Sequence, residues 1–318
     1  MDFPITISKP SSAAMRSSSM ASMKKLSSRT PSGSVRHANL SNRTRPRKEK
    51  SMAILRYVKS AEQIAKAADA NPEFMESTVY SIRCVYETDP AIHRAVLPQP
   101  LEPADKPEVC LTFSKVAMHI SPEFTFEIGS AVFGVRASYE GVPGTYLITM
   151  PMTTEQAVVP GRETFGEPKK IAEIDFQHEG SSVSSAVSRM GMTYLSARGT
   201  LGKELGPREW KEYGYCFKAQ PSCEKGKAFD VDPILVRLEW RHTNKQVWEI
   251  ENPEIILGES PMDPVADIPV RKIISCVFEE GSSESNGSVL RSVPGDWLLP
   301  FLHQRYDDTS GEGVEIAG

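Results

Sequence analysis

Runs of β-branched and aromatic residues limit most strongly what this chain can fold into. Six such runs occur, at 78–86, 109–118, 131–139, 146–150, 192–197 and 234–240, and their composition is typical of strands. No strand-then-helix alternation of the kind that builds a parallel sheet links them. The dinucleotide fingerprint GxGxxG and a phosphate loop ending in Gly-Lys-Ser or Gly-Lys-Thr are both absent. We therefore expect a mainly antiparallel β fold and no nucleotide cofactor.

Helix signals are few and short. Ser60-Ala61-Glu62-Gln63 has the pattern of a capping box and precedes an alanine-rich run that reaches Ala70. Asp89-Pro90 offers an N-cap acceptor and a first-turn proline for a helix over 91–96, which Pro98 and Pro100 would stop. The sequence predicts one helix at each place.

Turn and loop signals separate some of the strands. Gly141-Val142-Pro143-Gly144 predicts a turn between two strands, and residues 242–245 predict a hairpin loop between strands 234–240 and 247–250. The glycine- and serine-rich stretch 281–288 predicts a flexible loop. The apolar stretch 297–302 after it is expected to dock on the core.

Charge divides the chain into two parts. Residues 1–50 hold 11 Lys or Arg against Asp2 and Glu49, while the remainder holds 26 against 39 Asp or Glu. A basic, serine-rich segment of this kind cannot bury enough apolar surface to offset its chain entropy. We expect a disordered extension over 1–51, a folded domain over 52–306 and a flexible tail over 307–318.

The basic extension has three interpretations. Arg16, Lys24, Lys25 and Arg29 among serines suggest an organelle transit peptide. The cluster 43–50 suggests a nucleic-acid or nuclear-import patch. The segment could also be a dispensable tail. The acidic body does not interleave basic and aromatic residues, so we expect no nucleic-acid partner.

Cysteine spacing argues against a zinc or redox site, and hydropathy argues against a membrane-spanning helix. The five cysteines are Cys84, Cys110, Cys216, Cys223 and Cys276, and no pair has the CxxC spacing of zinc or redox sites. We expect reduced, mostly buried thiols and no metal. No stretch approaches the roughly 18–20 apolar residues that a membrane-spanning helix needs. A cytoplasmic protein is expected, or a mitochondrial one if the extension is a transit peptide.

The chemistry of the chain points to one segment, Gly161-Arg162-Glu163-Thr164-Phe165-Gly166-Glu167-Pro168-Lys169-Lys170. A lysine pair alone is usually a solvated surface feature. This pair follows Gly-Arg-Glu, precedes Ile171-Ala172 and lies after Glu155-Gln156-Ala157-Val158. The whole stretch resembles the signature of the acetoacetate decarboxylase family.

Three further blocks fall in the order of that family. Tyr86-Glu87-Thr88-Asp89 with 97–102 resembles its first strand, short helix and LPxPLE step. Ala117-Met118-His119 and 141–146 resemble its central strands, and 267–273 resembles its C-terminal DLPV block. The resemblance spans about 75–305. It implies barrel-like curled sheets with a few short helices around a buried pocket, a homo-oligomer, and a small-molecule keto acid substrate.

The same resemblance implies the roles of four residues. Lys169 would form an imine with a ketone, which requires its amine to be neutral. Burial or a neighbouring cation produces that state, and acetoacetate decarboxylase is itself the standard example of such a lysine. Glu127 matches the family's active-site glutamate, and Arg162 is a candidate carboxylate or structural partner. Lys170 is a further candidate, although adjacent side chains of a strand point to opposite faces.

Three positions depart from the pattern of acetoacetate-cleaving members. Val79 and Ser114 stand where those members carry an arginine and a second glutamate. Glu167 stands where they carry an aromatic residue, and it would add negative charge beside the nucleophile if it faced inward. The leading hypothesis is a Schiff-base decarboxylase of acetoacetate or a larger β-keto acid, such as a polyketide-derived acid of a secondary pathway. The alternatives are an aldolase or dehydratase that uses the same imine, and a catalytically silent ligand-binding protein.

Overall fold

Strands make up most of the described chain. The computed structural model of the protein describes residues 54–70, 75–121 and 124–316. The strands are β1 Met75–Glu87, β2 Glu102–Pro103, β3 Glu108–Ser121, β4 Phe124–Tyr139, β5 Val142–Met152, β6 Lys169–Ile171, β7 Glu173–Glu179, β8 Ser182–Arg189, β9 Met192–Glu204, β10 Arg208–Lys218, β11 Ile234–Leu257 and β12 Lys272–Ser292. The helices are α1 Ala61–Ala70, α2 Pro90–Ala95, α3 Glu155–Pro160 and α4 Gly295–Leu298, with a π turn at Gly161–Phe165 and 3-10 turns at Val265–Asp267 and Leu299–Arg305.

Seven strands close into a ring. Their order is β10-β5-β4-β3-β1-β12-β11, and β11 returns to pair with β10. Neighbours in the ring are antiparallel except β10 and β5, which run parallel. β6 pairs with β5, also in parallel. The mainly β, antiparallel and barrel-like fold that the sequence predicts is confirmed.

The two faces of the ring differ in chemistry. On β1, Val79, Ser81 and Arg83 line an internal cavity, whereas Ile82 and Cys84 belong to the main core. This follows from the period of two along a strand. The ring therefore encloses a space lined by both polar and apolar side chains, the apolar ones including Ile128, Leu147 and Met150, and its outer face carries the main apolar core.

The main apolar core lies between the outer face of the ring and a second layer. From β11 the sheet continues through β9 and β8 to β7. Leu111, Phe113 and Phe133 of the ring are fully buried in one cluster with Val187 and Leu195 of that extension. Burying an aliphatic or aromatic side chain of this size stabilises a fold by about 1.5–3 kcal/mol, so this layer fixes the wall of the cavity.

The predicted helices are confirmed. Ser60 and Gln63 form the reciprocal capping box, with the Ser60 amide 2.9 Å from Gln63 Oε1 and the Gln63 amide 3.2 Å from Ser60 Oγ. Pro90 begins α2 after Asp89, but Asp89 makes no side-chain capping bond and instead accepts a hydrogen bond from Arg271 Nη2 at 2.7 Å. In the predicted docking segment, Leu298 is buried in the main core.

The predicted hairpin loop at 242–245 is wrong. β11 runs without interruption from Ile234 to Leu257, and His242 and Asn244 pair with both β10 and β12. The strand is long because its first part pairs within the ring and its last part pairs with β9 in the extension of the same sheet. The polar residues that suggest a loop are ladder residues, and His242 faces the cavity.

The predicted flexible loop at 281–288 is also wrong. These residues lie in β12 between β1 and β11. Small side chains are needed here because the chains approach closely: a Cβ on Gly281 would lie 2.3 Å from Thr243 O, and one on Gly287 would lie 2.5 Å from the Phe165 ring. The two glycines therefore reflect close packing at this place.

The expectation of five reduced thiols is wrong for one pair. Cys84 and Cys276 stand directly opposite on β1 and β12 and form a disulfide in the core. Cys110 and Cys216 are buried free thiols, and Cys223 is exposed.

The chain divides into two units, Met1–Lys59 and Ser60–Gly318. Of the first unit only 54–59 are described, and these residues are exposed. The predicted disorder of 1–51 and the start of the domain at 52 lie outside the described residues. No helix of the described part has the length and apolar character needed to cross a membrane.

Candidate active site

Lys169 faces the cavity inside the ring. It begins β6 and pairs with Met150 of β5. Its Nζ lies 2.7 Å from Oε2 of Glu167, and the two side chains are 14% and 9% exposed. Both residues line a cavity of about 170 Å³. Glu167 therefore does face inward and puts a carboxylate beside the amine.

Two glycines shape the turn that carries this pair. A Cβ on Gly161 would lie 2.2 Å from Glu167 Oε2 and 2.7 Å from Lys169 Nζ. Gly166 has φ +76°, and its Cβ would lie 2.3 Å from the Cα of Lys218. Only glycine allows both the positive φ and the close approach to Lys218 at position 166. The glycines of the Gly-Arg-Glu-Thr-Phe-Gly segment thus leave the space that the lysine and the carboxylate occupy.

Arg162 supports the backbone at Lys169. Its Nη1 donates to Lys169 O at 2.7 Å and to Arg305 O at 3.4 Å, and its guanidinium lies 5.3 Å from the centre of the Tyr306 ring. Burial and the nearby Arg305 lower the pKa of Arg162. Among the described residues no ion pair joins Arg162 to Glu163, so the structural role predicted for Arg162 is served by a carbonyl contact.

Sequence reasoning missed Arg305, which holds the same turn from the other side. Its Nη1 donates to Gly166 O at 2.6 Å and to Phe217 O, and the residue is buried. It follows the docking segment of 297–302 and is the last residue of the final 3-10 turn. An arginine three residues after the end of an apolar segment was the available signal.

Lys170 points away from Lys169. Its Nζ lies 2.9 Å from Asp263 Oδ1, 3.0 Å from Met262 O and 3.3 Å from Asp307 Oδ1. Arg189 binds both of those aspartates. The hydrogen bond from Arg189 lowers the pKa of Asp307, against a smaller opposing effect of burial. The divergence of adjacent strand side chains is confirmed, and the buried network holds the outer face of β6.

The structure does not bring Glu127 to the cavity. Glu127 is exposed on β4, whereas its neighbours in the inward register, Ile128 and Ser130, line the cavity. Val79 and Ser114, the two departures from the family pattern, do line it. Ser114 Oγ lies 2.7 Å from Ser81 Oγ. Those two positions are thus on the cavity side of the wall.

A second charged group in the cavity was not foreseen. Arg83 Nη1 lies 3.0 Å from Glu212 Oε1, and its Nε lies 3.3 Å from Glu279 Oε2. His242 Nε2 lies 3.1 Å from Glu212 Oε1. Arg83, Glu212 and His242 come from β1, β10 and β11 and line the cavity. The alternation 79, 81, 83 on the first strand was the signal that could have revealed Arg83.

Metal and cofactor candidates are few. Among residues 54–70, 75–121 and 124–316, no group of three or more His, Cys, Asp or Glu side chains is arranged to hold a metal ion. The functional groups that line the cavity include the amine of Lys169, the carboxylates of Glu167 and Glu212, the imidazole of His242 and the guanidinium of Arg83.

Sequence comparison places this geometry in a known family. The sequence model of the family described as acetoacetate decarboxylase (ADC) matches residues 36–291. The chain belongs to the acetoacetate decarboxylase family.

Curated members of the family are distant relatives of this chain. An acetoacetate decarboxylase of Clostridium acetobutylicum is 28% identical over 207 residues, 60% of this chain and 78% of that protein. The CLA biosynthesis isomerase of Lactiplantibacillus plantarum is 29% identical over 245 residues, 70% of this chain and 85% of that protein. A third match, to the acetoacetate decarboxylase of Ralstonia nicotianae, is 37% identical but spans 87 residues, about a third (34%) of that protein.

Solved structures share the fold. An acetoacetate decarboxylase of Legionella pneumophila superposes with a TM-score of 0.59 at 19% identity, over 70% of this chain and 88% of that chain. The enduracididine biosynthesis enzyme MppR superposes with a TM-score of 0.57 at 16% identity, over 70% of this chain and 89% of that chain. At these identities the likeness concerns the fold alone, and the family includes proteins named for different reactions.

Proposed function

We propose that this member of the family is a lyase that forms an imine between Lys169 and a small ketone, and that its reaction is the decarboxylation of a β-keto acid. The observation that carries the proposal is the distance of 2.7 Å between Lys169 Nζ and Glu167 Oε2, two largely buried side chains that line the cavity of the ring. An amine that is to attack a carbonyl must first give up a proton; a carboxylate at hydrogen-bond distance stabilises the ammonium form, but it is also the group placed to accept that proton.

The pair accounts for the proton movements at nitrogen. When Glu167 takes a proton from the Lys169 ammonium, the amine gains a lone pair and adds to the carbonyl carbon. A proton of the new N–H₂ group passes to the carbonyl oxygen to give the carbinolamine, and Glu167 then returns its proton to the hydroxyl, which leaves as water and gives the iminium. The bond to a β-carboxylate breaks, carbon dioxide leaves, and its electron pair passes to the iminium as an enamine. Protonation and hydrolysis of the enamine release the ketone.

The size of the cavity favours a small substrate. A volume of about 170 Å³ is below the roughly 300–1,000 Å³ of pockets that hold drug-sized ligands. Acetoacetate or a keto acid a few carbons longer fits this limit better than a large polyketide. The cavity's charged groups are already paired: Lys169 with Glu167 and Arg83 with Glu212. Recognition therefore depends on shape and on the imine more than on a free cation.

A second candidate keeps the imine and omits decarboxylation. Val79 and Ser114 line the cavity where acetoacetate-cleaving members, by resemblance, carry an arginine and a glutamate. Loss of those groups favours aldol cleavage, aldol addition or dehydration. One related structure is of MppR with the condensation product of pyruvate and imidazole 4-carboxaldehyde, which supports carbon–carbon bond formation as a reaction open to this fold.

Product analysis distinguishes the two candidates. Purified protein is given a panel of short β-keto and α-keto acids, and carbon dioxide and organic products are measured. Carbon dioxide evolved from a β-keto acid, reduced to the uncatalysed rate in Lys169→Ala, supports decarboxylation. Lys115→Ala is the matched control because Lys115 is exposed on β3 beside the inward-facing Ser114. A larger product made from pyruvate without carbon dioxide favours the second candidate, and no turnover with any keto acid favours a silent binding protein.

The assembly and compartment of the protein remain proposals as well. We propose a homo-oligomer, since members of the family commonly assemble, and a cytoplasmic location unless 1–51 act as a transit peptide. Sedimentation and localisation of the full chain and of a chain that starts at Met52 test these points.

A further inference from the structure

A histidine–carboxylate pair lies in the same cavity as the candidate nucleophile. His242 of β11 and Glu212 of β10 both line the cavity that Lys169 and Glu167 line. β10 pairs with β11 on one side and β5 on the other, and β5 carries β6 with Lys169. Lys169 and the histidine–carboxylate pair thus face one shared space of about 170 Å³.

Glu212 is held as an anion. Burial alone raises the pKa of this carboxyl group, but the ion pair with Arg83 and the contact with His242 outweigh burial and lower the pKa to about 2. A carboxylate only accepts hydrogen bonds. The nitrogen of His242 that faces Glu212 therefore carries the hydrogen: Nε2 donates to Glu212 Oε1 at 3.1 Å. This tautomer follows from the partner, since hydrogens are assigned from the network.

The other ring nitrogen of His242 is available for chemistry. With the hydrogen on Nε2, Nδ1 of the neutral ring has a lone pair. No described residue forms a hydrogen bond with Nδ1. Trp210 stacks on the imidazole with centroids 4.4 Å apart and planes 21° apart, which fixes the ring plane. A histidine oriented by a carboxylate, with its second nitrogen free, is the arrangement of a general base.

The imine reaction has a proton task that Glu167 does not cover. Glu167 lies 2.7 Å from Lys169 Nζ and serves the protons on nitrogen. The enamine must also gain a proton on carbon, and a simple ketone must lose one there before it can form an enamine. These transfers take place one bond beyond the imine carbon and need a separate acid and base.

We propose that His242 is the acid and base that acts on the substrate carbon next to the imine, and that Glu212 positions it. The proposal rests on the Lys169 imine of the proposed function. In the forward direction, His242 Nδ1 takes a proton from that carbon, the C–H electron pair forms the carbon–carbon double bond, and the C=N pair returns to nitrogen. In the reverse direction, as after loss of carbon dioxide, the imidazolium gives its proton to the enamine carbon and the nitrogen lone pair restores the iminium. The substrate class is thus an enolisable ketone.

The test separates proton transfer at carbon from imine formation. The full chain is incubated with acetone in deuterium oxide, and exchange of the methyl protons is followed by NMR. In parallel, the imine is trapped with cyanoborohydride and quantified by intact mass. We expect His242→Gln to slow exchange by about 10²-fold or more, the usual contribution of a general base, while trapping stays within about twofold. Glutamine keeps an N–H for Glu212 and lacks a titratable nitrogen.

Control variants make each outcome decisive. His178→Gln should exchange and trap acetone like the unchanged chain, because His178 is an exposed residue of β7. Normal exchange in His242→Gln with normal trapping overturns the proposal and leaves the imine intact. Absence of a trapped adduct in the unchanged chain overturns the proposed function, and the role of His242 with it. Should His242→Gln fail to fold, Glu212→Gln is measured instead: a lowered ratio of exchange to trapping supports the role of the pair, and an unchanged ratio overturns it.

Discussion

Replacement of Gly161 by alanine probes the space around the nucleophile most selectively. Gly161 has φ −63° and ψ −43°, an ordinary helical conformation that alanine also adopts. Alanine even favours helix over glycine by about 1 kcal/mol. Any loss in Gly161→Ala must therefore come from contacts of the new methyl group, which would lie 2.2 Å from Glu167 Oε2 and 2.7 Å from Lys169 Cδ and Nζ.

The expected magnitude follows from those contacts. Inserting a methyl group into a packed site costs about 1–3 kcal/mol, and the gain in helix propensity offsets part of it. The net loss of stability should stay below about 2 kcal/mol, or about 4–8 °C in melting temperature for a domain of this size. The lysine and the carboxylate must move by about 1 Å to relieve the clash, and such a displacement costs about 10²-fold in rate.

The assay is the rate of cyanoborohydride trapping of a small ketone, measured with the melting temperature of the same variant. We expect trapping to fall about 10²-fold in Gly161→Ala with a modest change in melting temperature. Gly313→Ala is the control, because a Cβ at Gly313 meets nothing within 4 Å. Trapping at the unchanged rate in Gly161→Ala would refute the assignment of this space to the reacting amine.

Three further predictions concern the charged residues Glu167, Lys170 and Glu212. Glu167→Gln should slow imine trapping per folded molecule by about 10²–10⁴-fold, the range for loss of a general acid and base, and should also lower the melting temperature because it breaks the buried ion pair with Lys169; a trapping rate within twofold of the unchanged chain would exclude the proton role of Glu167. Lys170→Met should lower the free energy of unfolding by about 3 kcal/mol. This is the lower end of the cost of breaking a buried ion pair, and it applies because Arg189 still pairs with Asp263. Imine trapping per folded molecule should persist, and a loss of trapping would mean that Lys170 takes part in imine formation. The pKa of Glu212 is lowered to about 2 in the folded protein, so this group stabilises the fold above its usual pKa, and that stability is lost as the pH falls from about 5 to about 2. The free energy of unfolding, measured by denaturation across this pH window, should therefore fall less in Glu212→Gln than in the unchanged chain. An equal fall in both proteins would contradict the burial and pairing of Glu212.

The outer layer of this fold is predictable from sequence because its strands have a β-branched composition and a side-chain period of two. The strand over 78–86 shows the β-branched pattern, and the structure extends it to Met75–Glu87. The divergence of Lys169 and Lys170 follows from the period of two along a strand. Residues that obey strand composition, capping and local pairing were identified correctly from the sequence.

The inner layer is hidden because the interior of the ring mixes charged and polar residues with apolar ones, so an alternation of apolar residues does not identify the inward face. His242 and Asn244 suggest a loop by composition, yet they are ladder residues of β11. Arg83, Glu212 and His242 meet from three strands that are far apart in sequence, so no local motif contains them. Glu127 shows the opposite effect: it matches a family position by resemblance, but it is exposed on the wall strand.

Reductive trapping followed by peptide mapping tests the central claim most directly. The protein is incubated with a small ketone and cyanoborohydride, digested, and the modified lysine is located by tandem mass spectrometry. The imine chemistry proposed here predicts a single adduct on Lys169, with none on the adjacent Lys170, which is bound by Asp263 and Met262. An adduct on Lys170 or on surface lysines alone, or no ketone-dependent adduct, would contradict it.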